Sequence, residues 1–129
     1  MKIDAVGVTT SNLSKTVEFY TILGFSFPEY KDDEDHLEAT SIDGSSRLMI
    51  DNKTVIKDVV GKDPKPANHS NFGVHYDSAE QINNVIANLE TAGFKIFKKP
   101  WDAVWGQRYA IVEDPDGYKI DLYSPLVVN

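Results

Sequence analysis

The sequence contains no cysteine and no long hydrophobic run. With no Cys among 129 residues, disulfides, thiolate metal sites and a cysteine nucleophile are excluded. No apolar run approaches the ~20 residues that a membrane-spanning helix needs. Residues 1–4 lack the apolar core of a signal peptide. These absences predict a cytoplasmic protein that has no membrane partner.

Runs of lysine or arginine are also absent. The chain has 13 Lys and Arg against 20 Asp and Glu, which gives a formal net charge of -7. Binding to nucleic acid or to an anionic membrane needs a basic face, so neither partner is expected. The sequence also lacks a glycine-rich phosphate loop and a serine-nucleophile elbow. Nucleotide chemistry and acyl-enzyme chemistry are therefore not predicted.

The chain does contain an internal repeat. Val6-Gly7-Val8, an amphipathic stretch and Gly24-Phe25 are echoed by Phe72-Gly73-Val74, a second amphipathic stretch and Gly93-Phe94. A repeat at about half the chain length indicates two similar modules, because each is too small to bury its apolar face alone. The function is expected where the two modules meet.

A linker is predicted between the two modules. The apolar pattern lapses over residues 52–70, where Pro64 and Pro66 cannot continue a helix or a central strand. Module 1 is then residues 1–51 and module 2 is residues 71–129. Together with the linker they form one domain, residues 1–129.

Module 1 has the pattern of a strand, a helix and a hairpin. Its predicted strands are residues 3–9, 36–42 and 47–51, with room for another short strand at 26–30. Ser11 or Asn12 can cap the helix, and Gly24 ends it. Asp43-Gly44 supplies the backbone angles of the hairpin turn.

Module 2 repeats this order. Its predicted strands are residues 71–77, 94–98, 108–113 and 118–123. Asp77 and Glu80 have the spacing of a capping box at the start of the second helix, and Gly93 closes that helix. Residues 100–106 are predicted as a loop, and residues 114–117 as the turn of the last hairpin.

The order and spacing of several segments resemble one known family. They are Val6-Gly7-Val8 with Ser11-Asn12-Leu13, Phe19-Tyr20 to Leu23-Gly24-Phe25, and Trp105-Gly106-Gln107-Arg108 leading into Asp114-Pro115-Asp116-Gly117-Tyr118-Lys119-Ile120-Asp121-Leu122. With them the chain resembles the vicinal oxygen chelate superfamily, also called the glyoxalase, bleomycin resistance and dioxygenase group. The resemblance implies an α+β fold of two βαβββ modules, whose sheets curl into an open barrel around a cavity. It also implies a homodimer.

The resemblance locates four metal-ligand positions. The family's metalloenzymes place one ligand on the first strand and one on the last strand of each module. Strand alternation aligns these positions with Ala5, Met49, Asn71 and Asp121. Only Asp121 is a good ligand for a hard metal, and a firmly held divalent cation needs at least three good donors. We therefore expect no metal, the alternative being a divalent metal in an atypical set such as His75 and Asp121.

His75 is the most prominent of the three histidines. Alternation from Asn71 places it on the predicted cavity face, where an imidazole could be a base, a hydrogen-bond donor or a ligand. The plainer interpretation is a strand-end histidine that contacts water. His36 and His69 lie beside polar segments and are expected to be ordinary surface residues.

Asp121 is the second candidate catalytic residue, together with His75. It could act as a general base or bind a cationic ligand. Arg47 and Lys119 are predicted on cavity faces of the two equivalent hairpins. The alternative is therefore a structural carboxylate that these cations neutralise.

Aromatic side chains complete the predicted site. Two indoles are costly to expose, so Trp101 and Trp105 are expected to contact a partner subunit, the rim of the core or a flat ligand. Tyr109 and Tyr123 could extend this aromatic wall or pack in the core, and Met49 adds an adaptable contact. The predicted ligand-binding residues are Met49, Asn71, His75, Trp101, Trp105, Tyr109, Asp121 and Tyr123.

Three functions remain open at this point. The first is a metal-independent protein that sequesters a small planar or aromatic compound, such as an antibiotic, like the antibiotic-binding branch of the family. The second is a glyoxalase-like lyase or isomerase, or a dioxygenase, with an atypical metal site or with His75 and Asp121 as acid and base. The third is an interaction module. The missing metal ligands and the paired Trp favour the first.

Overall fold

The chain folds into two compact units of mixed α+β structure. A computed structural model describes residues 1–126, and the division falls between Met1–Lys65 and Pro66–Asn129. The first unit has a sheet of three strands and the second a sheet of four, and neither sheet is closed. Among residues 1–126 no helix has both the length and the apolar character to cross a membrane.

The first unit has its three strands in the order β1-β3-β2. Its elements are β1 (Ala5–Thr10), α1 (Leu13–Leu23), β2 (His36–Glu38), β3 (Arg47–Asn52) and α2 (Lys53–Val60). β3 is parallel to β1 and antiparallel to β2. The Asn12 side chain accepts a hydrogen bond from the backbone N–H of Lys15, and α1 ends at Gly24, which has φ +119°. Both helix boundaries confirm the sequence prediction.

The second unit is a complete βαβββ arrangement. Its elements are β4 (Ser70–His75), α3 (Ala79–Thr91), β5 (Lys95–Asp102), β6 (Gln107–Glu113) and β7 (Lys119–Pro125). The strand order is β4-β7-β6-β5. β7 is parallel to β4 and antiparallel to β6, which is antiparallel to β5.

The sheet of the second unit has one buried side, which packs against α3. Successive side chains of a strand point to opposite sides of a sheet, so alternate residues of β6 and β7 form this core. The fully buried members are Ala110, Val112, Ile120 and Leu122 on the strands, with Ile82 and Leu89 on α3. The residues between them lie on the side away from α3 and are only half-buried. That side is left for other contacts.

The first unit has one strand fewer than predicted. Residues 26–30 contain no strand. Ser26 accepts a backbone hydrogen bond from Thr40 at 2.7 Å, but Pro28 has no N–H with which to extend a ladder. The βαβββ prediction thus holds in full for the second unit, and the first is a βαββ unit followed by a helix.

A helix occupies part of the predicted linker. Residues 52–70 were expected to lack regular structure, yet α2 covers Lys53–Val60 within them. Asn52 caps this helix, since its side chain accepts from the N–H of Thr54 at 2.9 Å, and Gly61 ends it with φ +81°. Residues 62–66, with their two prolines, contain neither helix nor strand, as expected.

The capping box of α3 lies one residue later than predicted. The sequence pointed to Asp77 and Glu80, whereas the structure uses Ser78 and Gln81. The Ser78 hydroxyl accepts from the N–H of Gln81, and the Gln81 side chain accepts from the N–H groups of Ser78 and Asp77. The Gln81 side chain therefore satisfies two backbone N–H groups that precede the helix and have no partner within it.

β5 is longer than predicted and includes Pro100. The expected loop over residues 100–106 shortens to 103–106, because the strand continues to Asp102. Pro100 is tolerated there because β5 is an edge strand and its register shifts between Lys98 and Trp101. Trp101 therefore lies on a strand and not in a loop.

Candidate functional site

Five rings lie in contact on the side of the second unit's sheet that faces away from α3. We call this set the aromatic face: His75, Trp101, Trp105, Tyr109 and Tyr123. The ring centroids of His75 and Tyr123 are 5.4 Å apart, and those of Tyr123 and Tyr109 are 5.8 Å apart. Tyr109 lies 5.3 Å from Trp101 and 5.4 Å from Trp105. These spacings are those of interacting aromatic pairs.

Strand register explains why these rings meet. Trp101 on β5 is the direct partner of Tyr109 on β6, which is the partner of Tyr123 on β7, which is the partner of His75 on β4. Direct partners on neighbouring strands have side chains close enough to interact. One ring from each strand therefore joins a single row, and Trp105 in the loop after β5 closes one end of it.

Gly73 leaves the space that the Tyr123 ring occupies. A Cβ atom on Gly73 would lie 2.9 Å from Cε1 of Tyr123, closer than such atoms approach in proteins. Gly73 is next to Asp121 in the register of β4 and β7. The absence of a side chain therefore lets the Tyr123 ring lie across β4.

Asp121 is held beside this face by two hydroxyl groups. The Ser70 Oγ donates a short hydrogen bond to Oδ1, and the Tyr109 hydroxyl donates to Oδ2 at 2.5 Å. Burial, reinforced by the bond to Asp121 and by its charge, raises the pKa of Tyr109 to about 12. The phenol therefore stays protonated at neutral pH and remains a donor.

Asp121 has no cationic partner among residues 1–126. Within residues 1–126, no nitrogen of a Lys, Arg or His side chain comes within 4.0 Å of the Asp121 carboxylate, the distance limit for an ion pair. Lys119, one of the two cations predicted to neutralise it, lies 3.8 Å from Glu113, which also pairs with Lys95 at 2.9 Å. The other, Arg47, pairs with carboxylates of the first unit. Both cations that were predicted to neutralise Asp121 therefore pair with other carboxylates.

One lysine already lies on the aromatic face. The Nζ of Lys98 is 3.9 Å from the centre of the Trp101 ring, a cation–π contact. Lys98 is exposed on the edge strand β5. The indole of Trp101 therefore presents a π surface to which an ammonium group can bind.

The remaining predicted ligand-binding residues are Asn71 and Met49. Asn71 is exposed on β4 and lies at the register shift between Ser70 and Phe72. Met49 is half-buried on β3 of the first unit, opposite Gly7 on β1. Seven of the eight predicted residues therefore belong to the second unit, and Met49 belongs to the first.

The four predicted metal positions offer few donors. Ala5 lies beside Arg47 and Met49 beside Gly7, while Asp121 lies beside Gly73. Within the described part of the chain, no group of three or more His, Asp or Glu side chains could hold a metal ion. Asp121 is the one carboxylate among the four positions, and it already accepts two hydrogen bonds.

The first unit contains a charged cluster that the sequence analysis missed. His36 Nδ1 lies 2.6 Å from Asp51 Oδ1, and His36 Nε2 lies 2.8 Å from Glu38 Oε2. Arg47 donates to Glu38 at 2.5 Å and to Asp4 at 2.7 Å. Hydrogen bonds with Glu38 and then Asp51 raise the pKa of His36. His36 therefore takes part in ion pairs. The sequence feature that could have predicted this is the two-residue spacing of His36 and Glu38, which puts both side chains on one side of β2.

A shallow cleft at the far end of the second unit contains no predicted site residue. It has a volume of about 450 Å³ and is lined by residues 93–95 and 113–117. The Asp114 side chain is committed there to the turn, since it accepts from the N–H groups of Asp116 and Tyr118. The cleft is a surface feature of the turn, separate from the aromatic face.

These observations define a class of protein. A βαββ unit is followed by a βαβββ unit, and the second presents an open row of rings with a fixed carboxylate. The family model of the Glyoxalase/Bleomycin resistance protein/Dioxygenase superfamily matches residues 2–122. The chain belongs to this superfamily.

Solved structures of this superfamily have the same fold. A glyoxalase-related enzyme from Fulvimarina pelagi has a TM-score of 0.80 at 13% identity, covering 96% of this chain and 88% of that one. A glyoxalase/bleomycin resistance protein/dioxygenase from Nocardioides has 0.71 at 19%, covering 100% and 86%. A lactoylglutathione lyase from Agrobacterium tumefaciens has 0.67 at 11%, covering 95% and 92%. No curated protein matches the sequence. At these identities the likeness shows the fold alone.

Proposed function

We propose that this protein binds a small aromatic compound on the aromatic face, without a metal ion, and acts by sequestering it. The observation that carries the proposal is the row of five rings, which is not part of the core. The fully buried residues of β6 and β7 lie on the other side of the sheet, against α3. The rings are therefore free to serve another purpose.

Exposure of this face supports the proposal. Trp105 is 58% exposed. Apolar groups in contact with water are a common mark of a binding site. A flat ligand that stacks on such rings removes apolar surface from water and gains ring–ring contacts. An antibiotic with a planar ring system fits this description.

Metal independence is the second part of the proposal. Its support is the chemistry of the four positions that hold the metal in the family's metalloenzymes, where only Asp121 offers a hard donor. Elemental analysis of native protein, with and without added divalent metal, tests it. A stoichiometric metal that survives dialysis would contradict it.

Fluorescence titration with a library of planar aromatic compounds and antibiotics tests ring binding. We expect quenching by some members, and we expect Trp105→Ala to weaken their binding by about tenfold, or about 1.4 kcal/mol. Trp101 still reports binding in this variant. The matched control is Val104→Ala, which truncates the adjacent, fully exposed apolar side chain that is not part of the aromatic face. Absence of quenching by every compound would count against the proposal.

A second candidate function rests on the contact between Tyr109 and Asp121. A carboxylate within hydrogen-bond distance of a protonated phenol could transfer protons in a lyase or isomerase reaction. Turnover assays with glutathione hemithioacetals and with catechols test this candidate. Turnover that Asp121→Asn abolishes would replace sequestration by catalysis, whereas its absence in metal-supplemented protein would remove the candidate.

A further inference from the structure

We infer that the ligand of the aromatic face is an organic cation, namely a flat ring system that carries a positively charged nitrogen. This inference rests on the proposed binding function and adds the charge of the ligand to it. Three features carry it: the uncompensated charge of Asp121, the pairing of the nearby lysines, and the lysine that already covers Trp101.

The first feature is the way in which Asp121 is held. Ser70 and Tyr109 donate neutral hydroxyl groups to its two oxygens, which fixes the carboxylate without cancelling its charge. A carboxylate has about four acceptor positions, so two remain for a ligand. Asp121 is half-buried, and a charge there interacts more strongly than one in open water.

The second feature is the balance of the other charges. Glu113 lies on the same side of β6 as Tyr109 but is paired with Lys95 and Lys119. Lys95 and Lys119 are therefore matched by Glu113, whereas no Lys, Arg or His among residues 1–126 pairs with Asp121. Lys98 lies over Trp101 and has no ion-pair partner among the same residues. An anionic ring compound would meet an uncompensated negative charge, and a cationic one would be attracted. The net charge of -7 adds to this preference at long range.

The third feature is the cation–π contact of Lys98. The faces of aromatic rings are electron-rich and attract cations, Trp most strongly. The Lys98 ammonium occupies that position on Trp101 at 3.9 Å. Because Lys98 is exposed, a ligand cation can displace its ammonium group, so this lysine competes with the ligand for the indole.

Three bicyclic probes of similar shape test the charge of the ligand. They are N-methylquinolinium, which is cationic, quinoline, which is neutral at neutral pH, and quinoline-2-carboxylate, which is anionic. At low ionic strength we expect N-methylquinolinium to quench tryptophan fluorescence with a Kd about tenfold lower than that of quinoline. Quinoline-2-carboxylate is expected to bind most weakly. Calorimetry on the same three probes checks the Kd values.

Asp121→Asn removes the charge and keeps the shape of the side chain. We expect the advantage of N-methylquinolinium over quinoline to fall to within about twofold in this variant. The matched control is Glu90→Gln, which removes one negative charge on the exposed surface of α3, where Glu90 contacts Lys99 at 4.0 Å. This control is expected to keep the tenfold preference.

Lys98→Gln tests the competition and does not depend on the folding of an Asp121 variant. It removes the ammonium from Trp101, so we expect N-methylquinolinium to bind about three times more tightly and quinoline to change less. Lys99→Gln is the control, because it makes the same charge change at the next residue, whose ion pair is with Glu90.

The outcomes separate this inference from the proposed function. Equal binding of the three probes, or a preference for the anion, would overturn the inference while leaving ring binding in place. An unchanged cation preference in Asp121→Asn would also overturn the role of that carboxylate. If none of the probes and no compound of the aromatic library binds, the proposed function itself is contradicted.

Discussion

Two carboxylates on the sheets of this protein have different partners. Asp121 accepts from two neutral hydroxyl groups, whereas Glu38 contacts a histidine and an arginine. Hydrogen bonds from His36 and then from Arg47 lower the pKa of Glu38. The two carboxylates therefore differ in that Glu38 is paired with cationic side chains, whereas the hydrogen bonds to Asp121 come from neutral hydroxyl groups.

The ion pairs of His36 make the stability of the protein depend on pH. Its pKa is raised, so its stabilising effect is complete below the ordinary value of 6.5 and is lost as the pH rises through the raised pKa. We expect His36→Gln to lower the free energy of unfolding more at about pH 5.5 than at alkaline pH. Urea unfolding over a series of pH values measures this difference.

A matched histidine provides the control for that experiment. His69→Gln alters a side chain whose Nδ1 contacts the backbone oxygen of Ser70 and not a carboxylate. We expect the stability loss to depend on pH more strongly in His36→Gln than in His69→Gln, because only His36 bonds to carboxylates. A loss that is independent of pH in His36→Gln would show that the ion pairs do not form in solution.

At the scale of single elements, the start of α3 distinguishes two capping arrangements. The structure assigns the cap to Ser78, so Ser78→Ala should lower the free energy of unfolding by about 1 kcal/mol. Asp77→Ala, one residue earlier and exposed, should change it by less than about 0.5 kcal/mol. Chemical denaturation of both variants measures the two losses in the free energy of unfolding. A larger loss in Asp77→Ala than in Ser78→Ala would support the capping box that the sequence suggested.

The repeat offers a matched pair of glycines on β1 and β4. Gly73→Ala would place a Cβ 2.9 Å from the Tyr123 ring, whereas a Cβ on Gly7 has no other atom within 4 Å. We expect Gly73→Ala to lower the free energy of unfolding by about 1–3 kcal/mol and to weaken ring binding, because Tyr123 must move. Gly7→Ala should do neither. Equal effects in both variants would mean that Tyr123 does not need the space.

The sequence predicted side-chain alternation well and cross-strand pairing poorly. Asp121 and Tyr123 lie on a common side of β7, as alternation predicted, because the two-residue period of a strand is a local property. Asn71 lies where a register shift interrupts that period in β4. The meeting of Tyr109 with Asp121 depends on register, which the chain sets only through its whole sheet.

Two other differences between the sequence prediction and the structure have separate causes. Pro100 suggested a loop, but an edge strand with a register shift accommodates it and carries Trp101 into the row of rings. α2 was missed although Val55, Ile56, Val59 and Val60 recur at helical spacing, because the prolines that follow at 64 and 66 extended the linker prediction over it.

At the scale of the whole molecule, the family resemblance implies a homodimer. We expect sedimentation equilibrium at micromolar concentration to give twice the monomer mass of 14.4 kDa. Exposed apolar side chains such as Val59, at 78%, and Val104, at 100%, are compatible with a further contact surface. A monomer at these concentrations would contradict the expectation.

The edge position of β5 also affects what the chain does at high concentration. The outer edge of an edge strand has unpaired backbone groups, which can template the addition of strands from other molecules, as in the growth of fibres. β5 interrupts this process twice, because Pro100 has no N–H to donate and the register shifts on either side of Lys98 break the regular ladder. Lys95 and Lys99 add charge along the same strand. The strand that supplies Trp101 is therefore also a barrier to fibrillar aggregation.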